Sequence, residues 1–247
     1  MKKLAIVVFV AVLAGCVTAS QLQQASVVEF EKMRQKLNVS DNSADRAYVQ
    51  CIADAIIAQL DEPYASYNWE LELFDEEEAN AFAMPGGQIG VFTGLFEVAR
   101  NQDQLAAVIG HEIAHVTLGH SLSRANSQTA ANLGIMVGSM ASELVRENVG
   151  LIMLGTQLGL MLPFSRAQET EADVDGLELV ARAGFRPGAS VDLWRNMAAA
   201  NPNRPPAFLS SHPSSSARIN ALGRQTSVVM PEYRQALASG LRPSCSR

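Results

Sequence analysis

The 247-residue sequence predicts an α+β fold that is mainly helical and carries one small antiparallel sheet. Three observations predict it. Apolar residues recur at helical spacing through most of the chain, a stretch at 68–74 switches to alternation, and Pro85-Gly86-Gly87 punctuates two short extended runs beyond it. No Gly/Ser- or Pro-rich linker splits the middle and no internal repeat stands out. A single domain is therefore expected over 41–247, behind a 1–15 leader and a 16–40 tether and helix.

Lys2 and Lys3 followed by the uncharged run 4–14 match the n-region and h-region of a secretory signal. The apolar run is about 11 residues, short of the roughly 20 that span a bilayer as a helix. It ends in Leu13-Ala14-Gly15-Cys16, which resembles a bacterial lipobox. That resemblance implies cleavage before Cys16, lipidation there with palmitate-type chains, and anchoring to a membrane without crossing it. An ordinary signal peptide with a chance cysteine is the alternative. Val17 in place of an aspartate favours the periplasmic face of the outer membrane over the inner membrane.

Of 19 basic residues, Lys2 and Lys3 leave with the leader, so the mature chain carries 17 against 25 acidic ones, about −8 in net charge. No basic stripe is present, and nucleic acid is not an expected partner. Cys51 and Cys245 remain after Cys16. An even pair in an oxidising compartment makes a disulfide the first reading and two free thiols the second.

Residues 21–37 and 43–60 read as helices, the second with Tyr48, Ile52, Ile56 and Leu60 in one apolar stripe. In 68–74, Trp69, Leu71 and Leu73 face one way and Glu70 and Glu72 the other, a half-buried strand. The span 79–92 reads as a hairpin turning at Pro85-Gly86-Gly87. From Asn101, an N-cap with Gln104 three residues on, a helix is expected through Leu105, Val108, Ile109, Ile113, Val116 and Leu118 to about residue 122.

Residues 130–163 read as two apolar helical arms. Because 148–165 lacks any charge, a buried or substrate-covering hairpin is the first reading and an interfacial membrane contact the second. A helix over 166–183 stops at Gly184 with Pro187 beyond, another helix runs to Ala200, and 201–213 is a proline- and serine-rich loop that carries His212. No element is assigned beyond it.

His111 and His115 lie four apart on one predicted helix, so both imidazoles leave the same face one turn apart, as a pair gripping a single cation must. The spacing fits zinc. Glu112 sits about 100° around from the first histidine, poorly placed to ligate but able to take a proton from water at the metal. A catalytic zinc needs a third protein ligand and an open position. Downstream, Glu169 and Asp173 share a helix face while Glu171 points about 200° away from Glu169. One carboxylate can bind metal and another can accept the second ring N–H of a ligand histidine. The plain alternatives are a salt-bridged surface patch for the histidines and a solvated face for the acids.

Four motifs occur in order: N-A-F-A-x-P-G-G-x-I-x-V-F-T-G-L from Asn80, H-E-x-x-H from His111, S-R-x-x-E-x-E-A-D from Ser165, and His212-Pro213 with Arg218-Ile219. Over residues 43–223 the chain thereby resembles the zinc metalloprotease family of the CAAX prenyl proteases and bacterial HtpX, and in kind its periplasmic members, one of them a lipoprotein. The resemblance implies a zincin peptidase domain of the gluzincin type with one Zn2+ per chain. His111, His115 and Glu169 would be the ligands, Glu112 the general base, and Asp173 the partner of a ligand histidine, His111 first.

It further implies that Asn80 and Ala81 help hold an extended peptide. His212 would stabilise the oxyanion or occupy the open metal position, and Arg218 would bind substrate or pair with an acid in the core. Protein or peptide substrates follow, in particular misfolded or misassembled envelope proteins, together with envelope assembly partners. The rival is a latent or non-proteolytic assembly factor with a closed zinc site. His120 reads as a cap at the end of the motif helix. Unlike the membrane-embedded members, the mature part shows no spanning helix, which separates it from prenylated or intramembrane substrates.

Overall fold

The computed structural model describes residues 17–141, 164–200 and 205–247. The predicted leader, the lipobox and the second arm of the 130–163 segment lie outside them. Among the described residues, no helix is long and apolar enough to cross a membrane.

Helix α1 (Ala19–Lys36) starts at a capping box in which Thr18 and Gln21 satisfy each other's backbone N–H. Helix α2 (Ser43–Ile57) is capped by the Asn42 side chain and buries Tyr48, Val49, Ile52, Ala53 and Ile56. Strands β1 (Glu70–Phe74), β2 (Ala81–Ala83) and β3 (Gln88–Phe92) form one sheet in the order β1-β3-β2. The β2–β3 hairpin is antiparallel as expected, but β1 pairs parallel with β3, so the sheet is mixed. The connection from β1 carries the chain past the end of β3 to the far edge before the hairpin returns it to the middle.

Glu72 corrects the expected solvent face of β1. It is 3% exposed, because α1 covers that side. Its carboxylate takes ion pairs from Arg34 Nε at 3.2 Å and Arg46 Nη1 at 3.0 Å. Beside it Phe30 of α1 meets Phe74 edge-on at 6.2 Å, and Phe74 meets Phe92 at 5.8 Å.

Helix α3 (Gln102–Thr117) begins at Asn101, whose side chain accepts from Gln104 N–H at 3.0 Å. It ends earlier than the predicted residue 122. Gly119 adopts φ +67°, where a side chain would be strained, and the chain restarts as α4 (His120–Ala141). Helix α5 (Arg166–Arg182) starts from a capping box of Ser165 and Gln168. Then come α6 (Ala189–Ala199), a single turn α7 (Phe208–Ser211) inside the segment expected to be irregular, α8 (Ser216–Val228) and α9 (Met230–Ala238). The last two are new relative to the sequence reading.

The packing that matters most for function is α3 on α5. A Cβ added to Gly176 would lie 2.9 Å from Gly110 C and from His111 N and Cα, so the two backbones touch with no room for a side chain. Leu105, Ile109 and Ile113 of α3 are fully buried around this crossing, with Ala172 and Val180 from α5. Cys51 of α2 and Cys245 near the C-terminus are joined by a disulfide with Cα atoms 5.8 Å apart.

Candidate metal centre

Contact at Gly110 and Gly176 sets the depth at which everything on the two helices meets. Glu169, Asp173 and Gly176 lie along one stripe of α5, so the glycine that lets α3 approach also brings the two carboxylates up to His111 and His115. One donor atom from each of His111, His115, Glu169 and His212 falls within 4.8 Å of the others, and all four residues are buried. His111 Nε2 lies 3.1 Å from His115 Nε2 and 3.1 Å from His212 Nδ1. Glu169 Oε1 lies 2.9 Å from His212 Nδ1 and 3.4 Å from His115 Nε2.

Around this cluster, Glu112 Oε1 is 3.2 Å from His212 Nε2, and the backbone of Ala83 on edge strand β2 lies beside the Glu112 carboxyl. Asp173 Oδ1 stands 3.2 Å from His111 Nδ1, near enough to pair with it but not aligned as a hydrogen bond. Arg218 grips both Asp173 oxygens, from Nε at 2.7 Å and Nη2 at 2.8 Å, and pairs with Glu169 through Nη1. It also lies 3.8 Å over the Trp194 ring. Both carboxylates that Arg218 pairs with are buried acids of α5. Phe164, which the sequence does not single out, stacks on His115 at 3.9 Å between ring centres.

Asn80 and Ala81 sit at the start of β2. The Asn80 carbonyl accepts from Phe92 N–H and its side chain accepts from Ala81 N–H, both at 3.0 Å. The nearby Ala79 carbonyl accepts from Phe208 N–H at 3.1 Å, which ties the turn carrying His212 to the strand. Cys16 lies outside the described residues. His120 does not cap α3. It opens α4 with its ring folded back onto His115, and Glu171 reaches it from α5.

Burial lowers the pKa of His111 well below the ordinary imidazole range, helped by the charges of His212 and Arg218. Burial likewise takes His115 down to about 4, against its pairing with the Glu169 carboxylate. Burial opposes ionisation of Glu169, but the imidazoles of His115, His212 and His111 around the carboxyl overcome this and hold it far below its usual range. Burial raises Asp173, partly offset by Arg218, and pushes Glu112 up to about 7 despite His212 nearby.

Two imidazoles held neutral by burial, an ionised carboxylate and a third imidazole, with one donor atom of each within 4.8 Å of the others, describe a place for a cation. His111 Nδ1, Glu112 Oε1 and Glu169 Oε2 are also buried here without a well-formed hydrogen bond. The donor set fits a divalent transition metal.

The model of Peptidase family M48 matches residues 43–226. Mitochondrial metalloendopeptidase OMA1 of Schizosaccharomyces pombe is 36% identical over 177 residues, covering 71% of this chain and 51% of that protein. Mitochondrial metalloendopeptidase OMA1 of Homo sapiens is 34% identical over 168 residues, 64% of this chain and 32% of the relative. The beta-barrel assembly-enhancing protease of Escherichia coli K12 is 35% identical over 158 residues, 60% of this chain and 32% of the relative. The chain thus spans about half or less of each of these relatives.

Proposed function

The chain belongs to peptidase family M48, and from that premise we propose that it is a zinc-dependent metalloendopeptidase of the cell envelope, acting on misfolded or misassembled envelope proteins. The observation that carries the activity is the convergence of His111, His115 and Glu169 beside a buried Glu112. His111, His115 and Glu169 would hold the metal. Zinc bound there supplies a Lewis acid that polarises the scissile carbonyl and makes the attacking water more acidic.

Glu112 takes the proton from that water and passes it to the leaving amine, with no covalent acyl-enzyme. Its carboxyl, raised to about 7 by burial, is matched to both duties near neutral pH. Ala83 lies beside Glu112, so the strand that would align a peptide also borders the base. Asp173 steadies His111, and Arg218 steadies Asp173 and Glu169 together.

Glu112→Gln should retain the fold and one zinc per chain yet lose casein cleavage by about 100-fold or more. A variant that cuts as fast as the parent sinks Glu112 as base. Phenanthroline should abolish cleavage, and added zinc should restore it.

The envelope part of the reading rests on the leader and Leu13-Ala14-Gly15-Cys16, with the printed name of the Escherichia coli relative in support of a role in envelope assembly. Labelled palmitate incorporated by the parent and not by Cys16→Ala tests the anchor. A second reading, a latent protease, is favoured by His212. Its Nδ1 lies within hydrogen-bonding distance of both His111 and Glu169, where it can serve as a fourth donor and close the position that catalysis needs open.

A further inference from the structure

Two histidines of the motif helix present their second ring nitrogen to different surroundings. His111 turns Nδ1 toward a carboxylate, Asp173. His115 turns Nδ1 toward another imidazole, with His120 Nδ1 2.9 Å away, and His120 Nε2 is in turn 3.1 Å from Glu171 Oε2. His120 is 4% exposed, whereas the Glu171 side chain is 61% exposed. Had α3 continued past residue 118, His120 would leave the helix about 140° around from His115 and could not reach it. The break at Gly119 places it there.

Tautomer chemistry then assigns every proton on this line. His115 directs Nε2 at the cluster, so as a neutral ring it carries its proton on Nδ1. Nδ1–H must donate, and the nearest acceptor is His120 Nδ1. A neutral His120 that accepts at Nδ1 carries its own proton on Nε2 and donates it to the Glu171 carboxylate. Each ring has one tautomer and one orientation consistent with its neighbours.

We propose that His120 and Glu171 are positioning residues for the metal: a carboxylate–imidazole relay that fixes the tautomer and aim of His115, as Asp173 does directly for His111. This rests on the zinc reading above. The acid whose side chain points away from the metal thereby acts on it through two rings. Because Glu171 is solvent-exposed, it can be changed without disturbing the core.

The test is zinc affinity of the purified chain by competition with a chromophoric chelator, with the visible spectrum of the cobalt-substituted protein as a second readout. His120→Phe, which keeps the ring shape and removes the acceptor, should weaken zinc binding about 10–100-fold and shift the cobalt bands, with thermal unfolding of the metal-free protein unchanged. His120→Asn places Oδ1 where the acceptor stood and should recover most of the affinity. Should His120→Phe not fold, Glu171→Ala decides, with a weakening in the same direction that Glu171→Gln repairs. Affinity and cobalt spectrum unchanged in the folded variants would overturn the relay and leave the protease reading intact. A parent that binds no zinc would sink the protease reading itself.

Discussion

Helices α5 and α1 each lie across a neighbouring element, yet they are held by different means. α5 meets α3 backbone to backbone through Gly176 and Gly110, with no side chain between. α1 meets the strands mainly through side chains: Phe30 in an aromatic cluster, and Arg34 on the buried Glu72. The first contact fixes a distance to a fraction of an ångström, because backbone cannot give. The second fixes a neighbour and tolerates repacking. The metal cluster depends on the first, since all its donors except His212 come from α3 and α5.

Substitutions can break this contrast. Gly176→Val forces the two backbones apart, and the expected cost exceeds about 4 kcal/mol, the exceptional end for one substitution. Whatever folded protein remains should bind no zinc, and denaturant unfolding with metal analysis of the soluble fraction checks both. If it binds zinc like the parent, the crossing does not set the site. Phe30→Ala should lose about 3 kcal/mol of stability, the range for deleting a buried ring, and keep zinc affinity unchanged. A drop in affinity there would show that α1 contributes to the cluster and that the division is false. Arg34→Ala should cost under about 1 kcal/mol, since the side chain is 38% exposed and Arg46 still faces Glu72. Urea midpoints measured side by side resolve it.

This division also explains what was legible in the sequence. Periodicity and spacing point to the motif helix, to Glu169 and Asp173 one turn apart, and to the strand and hairpin, because each is a local pattern. His120 was not legible, because its place depends on one glycine ending a helix that the apolar pattern would carry onward. Glu72 was not legible either. Alternation says which residues share a face, and only the fold says that α1 covers the face that Glu72 takes. Gly176 carries no local signal at all, since a glycine inside a helix shows its purpose only against the helix it touches. Parallel pairing of β1 with β3 is likewise a property of the route between strands and not of either strand.

Cys51 and Cys245 stand 194 positions apart in sequence, and every donor of the metal cluster lies between them. The chain from one sulfur to the other is therefore a closed ring. A single nick inside that ring yields two pieces that stay tied. A cut molecule keeps its early histidines and its later acids on one covalent frame for as long as that disulfide stays intact.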